Sequence, residues 1–453
     1  MTNHWAKDAV FYHIYPLGCV GAPDRNHFAE PVVHRLGQLT DWLVHARNLG
    51  ANALYLGPVF QSSSHGYDTA DYYQVDRRLG DNDDLAQLAD AAHEKGIRLV
   101  LDGVFNHVGR DFWAFKDVLA NGEGSNYKDW FYNLRFGERS AKGDPFQYEG
   151  WHGHDSLVKL NLFHPDVRAH IFDAVGMWIE RFGIDGLRLD AADCIEFDFL
   201  RALQRFTQER RSDFWLMGEV VHGDYRQWVN QETLDSVTNY ESYKGLFSSL
   251  KDANYFEIAF SLDRQFGERG IYKGQWLYNF VDNHDVDRVA SQLKSPSHLY
   301  PLYMLLFTMP GIPSIYYGSE WGIQGIKENW SDSPLRPALD LEKMPDNAPH
   351  PDLVNTIRRL AETRHQSEPL RYGSYHQIFV DHQQFAFSRE YNGQTILVVL
   401  NSAPEEVSIN LNLPWPIGTL VDLHDHDQTF KVNAGSAQVN VPSSWGRILT
   451  LKL

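Results

Sequence analysis

The chain has only two cysteines in 453 residues, Cys19 and Cys194. Two cannot build a disulfide framework or a cysteine-rich metal site, so reduced, buried thiols in a reducing compartment are expected. No stretch approaches the roughly 18 consecutive apolar residues that a membrane-spanning helix needs. The opening Met1-Thr2-Asn3-His4-Trp5 has no basic segment leading into an apolar one, so no secretory signal is read there and a cytoplasmic location is expected. Basic residues are the minority, 41 against 59 acidic, which leaves a net charge of −18. That field repels polyanions and argues against a nucleic-acid partner, while a neutral ligand is indifferent to it. Low-complexity tracts are missing too, and nothing repeats beyond a strand–helix unit.

What is present is the composition of an ordinary globular enzyme. Hydrophobic residues are 43% and charged residues 22%, enough for one large domain with a smaller one attached. The chain carries 13 Trp and 22 Tyr. Flat aromatic faces suit the C–H side of a sugar ring, although most such residues pack cores. Composition does not give an oligomeric state.

Short apolar runs alternate with amphipathic stretches from residue 10 to about 365. VFYHIY (10–15), ALYL (53–56), IRLVLD (97–102), IDGLRLD (184–190), FWLMGE (214–219), WLYNFVD (276–282) and IPSIYY (312–317) read as strands. A poor candidate near 235–240 would be the sixth of eight. Helical spacing covers about 34–48 and 166–182, the latter stopped by Gly183, and a further helix opens at Asp83 and Asp84 and stops at Gly96. Eight strands alternating with helices predict an α/β fold, a parallel (β/α)₈ barrel over 1–107 and 165–367. Residues 108–164 are rich in Gly, Asn and aromatics and too long for a loop, so they are expected to form a subdomain inserted after strand three. From 368 to 453 short alternating runs such as QFAFSRE and TILVVLN predict a C-terminal antiparallel β-sandwich domain.

In a parallel barrel, chemistry gathers where the strands end. Asp102, Asp190 and Glu219 each close a predicted strand, and Asp285 lies just past FVDNH. Cleaving a glycosidic bond takes one protonated acid and one ionised carboxylate on either side of it, and Asp190 with Glu219 could supply that pair. Arg188, two residues before Asp190, points to the same face of its strand. Its charge is expected to hold Asp190 ionised, as a nucleophile requires. A lone acid at a strand end is ordinarily a helix cap or an ion-pair partner. Four on one face, with Arg188, His107 and His284 nearby, are not.

These segments resemble the α-amylase family, glycoside hydrolase family 13. DGVFNH (102–107), GIDGLRLDAAD (183–193), GE (218–219) and FVDNHD (280–285) are similar to its four conserved regions in order. LVKLN (157–161) and GIPSIYYGSE (311–320) resemble two further family segments. The resemblance implies a retaining hydrolase of α-1,4-linked glucans, in which Asp190 is the nucleophile, Glu219 the general acid/base and Asp285 the residue that stabilises the transition state and grips sugar hydroxyls. Tyr67, His107, Arg188 and His284 would line the subsite of the attacked sugar, and Asp102 and Asn106 would shape their loop.

HGYDTADYYQVD (65–76), YKDWF (127–131) and VKLN look closest to the neopullulanase and cyclomaltodextrinase group, which acts on cyclodextrins, pullulan and maltooligosaccharides. With the first strand near residue 10, the group's N-terminal domain is expected to be absent. Where secreted α-amylases carry Lys-His after the nucleophile, this chain has Asp193 and Cys194. The family's structural calcium is therefore not favoured, with Asn106 left as a candidate ligand, and the chemistry is expected to need no cofactor. His152 and His154 form an H-x-H pair without further ligands at useful spacing, so no metal site is assigned to them. Trp151 beside them could stack on sugar or pack the subdomain. A 4-α-glucanotransferase or an α-glucosidase would use the same carboxylates. A non-catalytic relative would lack the acids that this chain keeps.

Overall fold

The computed structural model describes residues 5–329 and 331–452; the first four residues of the N-terminal reading lie outside them. The barrel strands are β1 (Phe11–Ile14), β2 (Ala53–Leu56), β3 (Arg98–Gly103), β4 (Gly186–Leu189), β5 (Trp215–Gly218), β6 (Ser236–Val237), β7 (Tyr278–Asn279) and β8 (Ile312–Tyr316). They form one parallel sheet in the order β6-β5-β4-β3-β2-β1-β8-β7, and a parallel bridge between Thr238 and Tyr278 closes the ring. Among them run helices α1 (Leu39–Asn48), α2 (Asn82–Glu94), α3 (Pro165–Phe182), α4 (Phe197–Arg210), α5 (Tyr240–Lys251), α6 (Phe256–Phe266), α7 (Leu299–Thr308) and α8 (Leu353–Gln366).

The strands are mostly apolar because both of their faces are covered. Phe11, Ala53, Tyr55, Val100, Trp215, Met217, Tyr278 and Ile312 point inward and fill the barrel. Their neighbours Tyr12, Leu54, Leu99, Leu101 and Leu216 point outward against the helices. Helix ends follow local chemistry. Asp81, two residues before the expected start, caps α2 in a reciprocal capping box with Asp84. Gly183 ends α3 in the left-handed conformation at φ 61°, which glycine adopts without a Cβ penalty.

Strand seven was expected over 276–282, yet its ladder spans only Tyr278–Asn279, and β6 is equally short. Past these ladders the backbone turns out of the sheet to deliver Tyr240 and Asn283–Asp285 to the barrel mouth. The insertion after β3 contains helix Trp113–Asn121 and a three-stranded sheet of His107–Gly109, His154–Lys159 and Gly150–Trp151.

The C-terminal strands are β9 (Ser374–Val380), β10 (Gln384–Tyr391), β11 (Gln394–Asn401), β12 (Val407–Asn412), β13 (Ile417–Asp422), β14 (Thr429–Asn433), β15 (Ser436–Val441) and β16 (Trp445–Lys452). Instead of two separate sheets they make one antiparallel sheet, β9-β10-β11-β16-β13-β14-β15-β12. Its two edge strands come into contact, so the sheet curls around a core of its own. Residue alternation explains TILVVLN: Leu397 and Val399 face that core, while Ile396, Val398 and Leu400 face the barrel's. Before β9, Glu368–Tyr372 is a short helix rather than part of the β-domain.

Arg364 of α8 is 1% exposed. Its guanidinium donates to the main-chain oxygens of Phe307, Leu370 and Gly311, tying the end of α7 and the start of β8 to α8. Arg364→Met keeps the apolar stem and leaves three carbonyls unpaired. It should lower unfolding free energy by about 3 kcal/mol in a denaturant titration, given the cost of orphaned buried acceptors. An unmoved midpoint would show that this guanidinium does not hold β8.

Candidate active site

A cavity of about 1010 Å³ opens at the C-terminal ends of the barrel strands, the size of a site for an extended small ligand. Asp190, Glu219 and Asp285 all line it, together with Tyr15, Tyr67, His107, Trp151 and Tyr240. Arg188 and His284, each 2% exposed, lie behind its wall and act through the groups in front of them.

Register explains the centre of the site. β3 and β4 pair in parallel with Arg188 beside Asp102, and β4 and β5 pair with Arg188 beside Met217. The Arg188 side chain therefore points into the barrel mouth between two strands that end in acids. Its Nη1 donates to Asp102 Oδ1 at 2.8 Å and to Asp190 Oδ1 at 3.0 Å. Its Nη2 lies 2.8 Å from Glu219 Oε2. Asp102 also accepts the hydroxyls of Tyr55 at 2.8 Å and Tyr67 at 3.0 Å. Ala191 takes φ 45°, ψ 45°, a left-handed conformation uncommon for a residue with a Cβ, and from there its N–H donates to Glu219 Oε2 at 3.2 Å.

Asp285 sits in a different environment. Its Oδ2 is 2.9 Å from His284 Nε2 and its Oδ1 accepts from Arg336 Nη2 at 2.8 Å. Arg336 also donates to the His284 main-chain oxygen and lies 4.6 Å over the Tyr15 ring. His284 stacks on Tyr67 at 5.4 Å and hydrogen bonds to its hydroxyl. Two groups the sequence reading did not single out thus belong to the site. Arg336 follows β8 in a loop with no periodic signal. Tyr240 follows the weakest strand, and its hydroxyl donates to Glu219 Oε1 at 3.3 Å.

The two halves of the site differ in charge balance. Burial by itself would raise Asp285; His284 and Arg336 outweigh it and hold that carboxyl well below the usual range. For Asp190 the expectation that Arg188 keeps it ionised is not met. Burial comes first and pushes it well up, Arg188 opposes, and the charges of Glu219, Asp102 and Asp285 add to burial. One guanidinium shared by three carboxylates cannot neutralise them all. His107, 3.8 Å from Asp190 Oδ2, is pushed down by burial to about 3. It is therefore a neutral imidazole, and its Nε2 is buried without a hydrogen-bond partner.

Asn106 is 1% exposed, its amide committed to His107 Nδ1 and its main-chain oxygen to the Leu160 N–H. His152 and Gly153 both take positive φ, 48° and 81°, and form the two-residue turn of the hairpin that carries Trp151 to the cavity. Both cysteines are free; Cys19 is buried as expected, but Cys194 is only partly so, its sulfur 3.8 Å from His152 Nε2. Among the described residues, no helix is long and apolar enough to cross a membrane.

With this geometry in hand, comparison with known proteins is specific. The α-amylase catalytic domain matches residues 35–352 and the maltogenic amylase C-terminal domain matches residues 375–445. The chain belongs to the α-amylase family. As a member it is a glycosidase built on a (β/α)₈ barrel with an antiparallel C-terminal domain. It is similar to a cyclomaltodextrinase from a Bacillus species, at 34% identity over 88% of this chain and 73% of that one. A solved cyclomaltodextrinase superposes with TM-score 0.86 at 30% identity, covering 99% of this chain and 78% of the other. A cyclic α-maltosyl-(1→6)-maltose hydrolase from Arthrobacter globiformis, solved with that ring, gives TM-score 0.82 at 26% identity. The overlap covers 98% of this chain and 99% of that one.

The charge balance makes Asp190 a stability liability. A carboxyl whose folded pKa is raised weakens the fold as pH rises through the gap between its unfolded and folded values. Asp190→Asn should therefore melt higher than the parent at pH 7. The gain should fade below about pH 4, where an unfolded Asp is itself protonated. A variant that melts lower at pH 7 would mean that the ion pair with Arg188 outweighs burial.

Proposed function

We propose that this glycosidase hydrolyses α-1,4-glucosidic bonds in maltooligosaccharides, cyclodextrins and related α-glucans by double displacement. The single observation that carries the reading is one buried guanidinium touching both Asp190 and Glu219 at the mouth of a barrel, with Asp285 separately paired to His284 and Arg336. In this reading Asp190 attacks the anomeric carbon and Glu219 protonates the leaving oxygen. A covalent glycosyl-enzyme forms with inversion. Glu219, now ionised, takes a proton from water, and attack on the intermediate inverts the centre again. Asp285 and neutral His107 hold hydroxyls of the attacked sugar, and Tyr67 lies against its ring. Arg188 keeps both carboxyls aligned and offsets charge as the proton moves.

A 4-α-glucanotransferase or an α-glucosidase would run the same first half-reaction. The likeness to a hydrolase of a ring containing a (1→6) linkage favours including such a bond among the substrates tested. No metal is assigned to the chemistry, because Asp193 and Cys194 stand where secreted α-amylases carry Lys-His. The free cysteines support a reducing, cytoplasmic setting, and the negative charge speaks against nucleic acid as a partner.

Proton NMR in the first minutes of maltotetraose hydrolysis should show the α-anomer released first. Asp190→Asn should abolish turnover, and Glu219→Gln should lose at least about a hundredfold on unactivated glucans, the ordinary contribution of a general acid. Initial β-anomer would remove Asp190 as nucleophile. Parallel digests of starch, pullulan, β-cyclodextrin and maltotriose define the substrate range. Treatment with a chelator should leave activity and melting temperature unchanged; loss restored by calcium would reverse the metal reading.

A further inference from the structure

Tyr240 is the first residue of α5, just past the short strand β6. Its ring is locked edge-on against Phe280 at 5.0 Å, and Phe280 in turn stacks on Tyr243 at 5.1 Å. The ring cannot move without disturbing the end of β7. Its hydroxyl makes two contacts of 3.3 Å, with Glu219 Oε1 and with Asn283 Nδ2.

Hydrogen-bond direction follows from Asn283. Asn283 Oδ1 accepts the main-chain N–H groups of Asp285 at 2.8 Å and Val286 at 3.2 Å. That fixes which end of the amide is oxygen, so the NH₂ faces Tyr240. The phenol oxygen accepts from Asn283, and its single proton is left to point at Glu219 Oε1. Burial, with the charges of Glu219 and Asp285, raises Tyr240 well above its ordinary value, so it stays a neutral donor. The other carboxyl oxygen, Oε2, already meets the Arg188 guanidinium and the Ala191 N–H. An oxygen facing a cation and an amide donor is the poorer place for a proton. The transferable proton therefore belongs on Oε1, beside Tyr240.

We propose that Tyr240 is a positioning residue for the general acid: held by Asn283, it singles out Glu219 Oε1 as the oxygen that protonates the leaving group and stabilises the negative charge left there. This rests on the assignment of Glu219 as the acid. In the step, the Oε1–H bond breaks as the proton goes to the glycosidic oxygen. The C–O pair leaves with that oxygen, and the phenol proton stays on Tyr240, donating to the new carboxylate. Besides Tyr240 from α5, the charged groups around Glu219 are Arg188 on β4, Asp190 just past it, Asp102 beyond Arg188 on β3, and Asp285 past β7. The Tyr240 variant leaves all of them in place.

The test is Tyr240→Phe, which keeps the ring and its packing. Losing a donor to the ionised form lets a carboxyl hold its proton to higher pH. The basic limb of kcat/KM on maltotetraose should therefore move up by about one pH unit, and kcat/KM at the optimum should fall about tenfold, the worth of one hydrogen bond to a charged group. On α-maltosyl fluoride, whose leaving group needs no proton, kcat/KM should stay within about twofold. A limb that does not move, or equal losses on both substrates, would overturn the proposal. The fluoride rate and the melting curve show whether the variant is folded. If the parent enzyme itself released β-anomer, or turned over neither substrate, the functional reading would have failed instead.

Discussion

One arginine carries the site. Arg188 lies on the middle strand of β3, β4 and β5, and its guanidinium reaches a carboxylate from each. In a buried setting such contacts are strong, but so is the repulsion among the carboxylates they gather. One positive charge holds three acids within hydrogen-bond reach without neutralising them. The result is that Asp190 retains a proton more readily than an isolated carboxyl would, as like charges sharing one cation require. Removing Arg188 would leave this repulsion uncompensated, so its role in the fold and its role in the chemistry cannot be separated.

The barrel exists in a form that permits this. Parallel pairing puts Arg188 beside Asp102 and ends each strand at the same height, so successive acids face one cavity. Where the sheet is weakest, at β6 and β7, the chain leaves the ladder early. Those departures bring Tyr240 and Asn283 together and join the Glu219 side of the mouth to the Asp285 side. Short strands there are the geometry by which two loops reach across the opening.

Much of this was legible from residues alone. The strands ending in Asp102, Asp190 and Glu219 combine apolar runs with a terminal acid, and that signal is local. Gly183 and Gly96 are local stops of the same kind. Arg188 could be placed on the right face because a strand alternates. Its partition among three acids was not legible, because it depends on the register of neighbouring strands. Arg336 was missed because it lies in no periodic element, Tyr240 because it opens α5 behind the weakest strand, and each acquires its role from a partner 51 or 21 positions away. The curled C-terminal sheet escaped for the same reason: alternation shows that a strand has two faces, not whether its sheet closes on itself.

The asymmetry of charge across the mouth then separates the carboxyls by role. Asp285 meets an imidazole and a cation, and that cation, Arg336, is fixed in turn by the His284 main chain and Asp332. These neighbours hold the Asp285 carboxyl well below the usual range. Asp190 and Glu219 instead compete for Arg188 with Asp102, which never leaves it because Tyr55 and Tyr67 hold it there. Asp102 is thus a fixed load on the guanidinium, and for Asp190 the remaining share does not offset burial. In the proposed reaction this distinguishes a carboxylate that must remain negative throughout from a pair that must exchange a proton and a bond. The difference comes from how two arginines are distributed over five acids, three on Arg188 and two on Arg336, since the acids themselves are chemically alike.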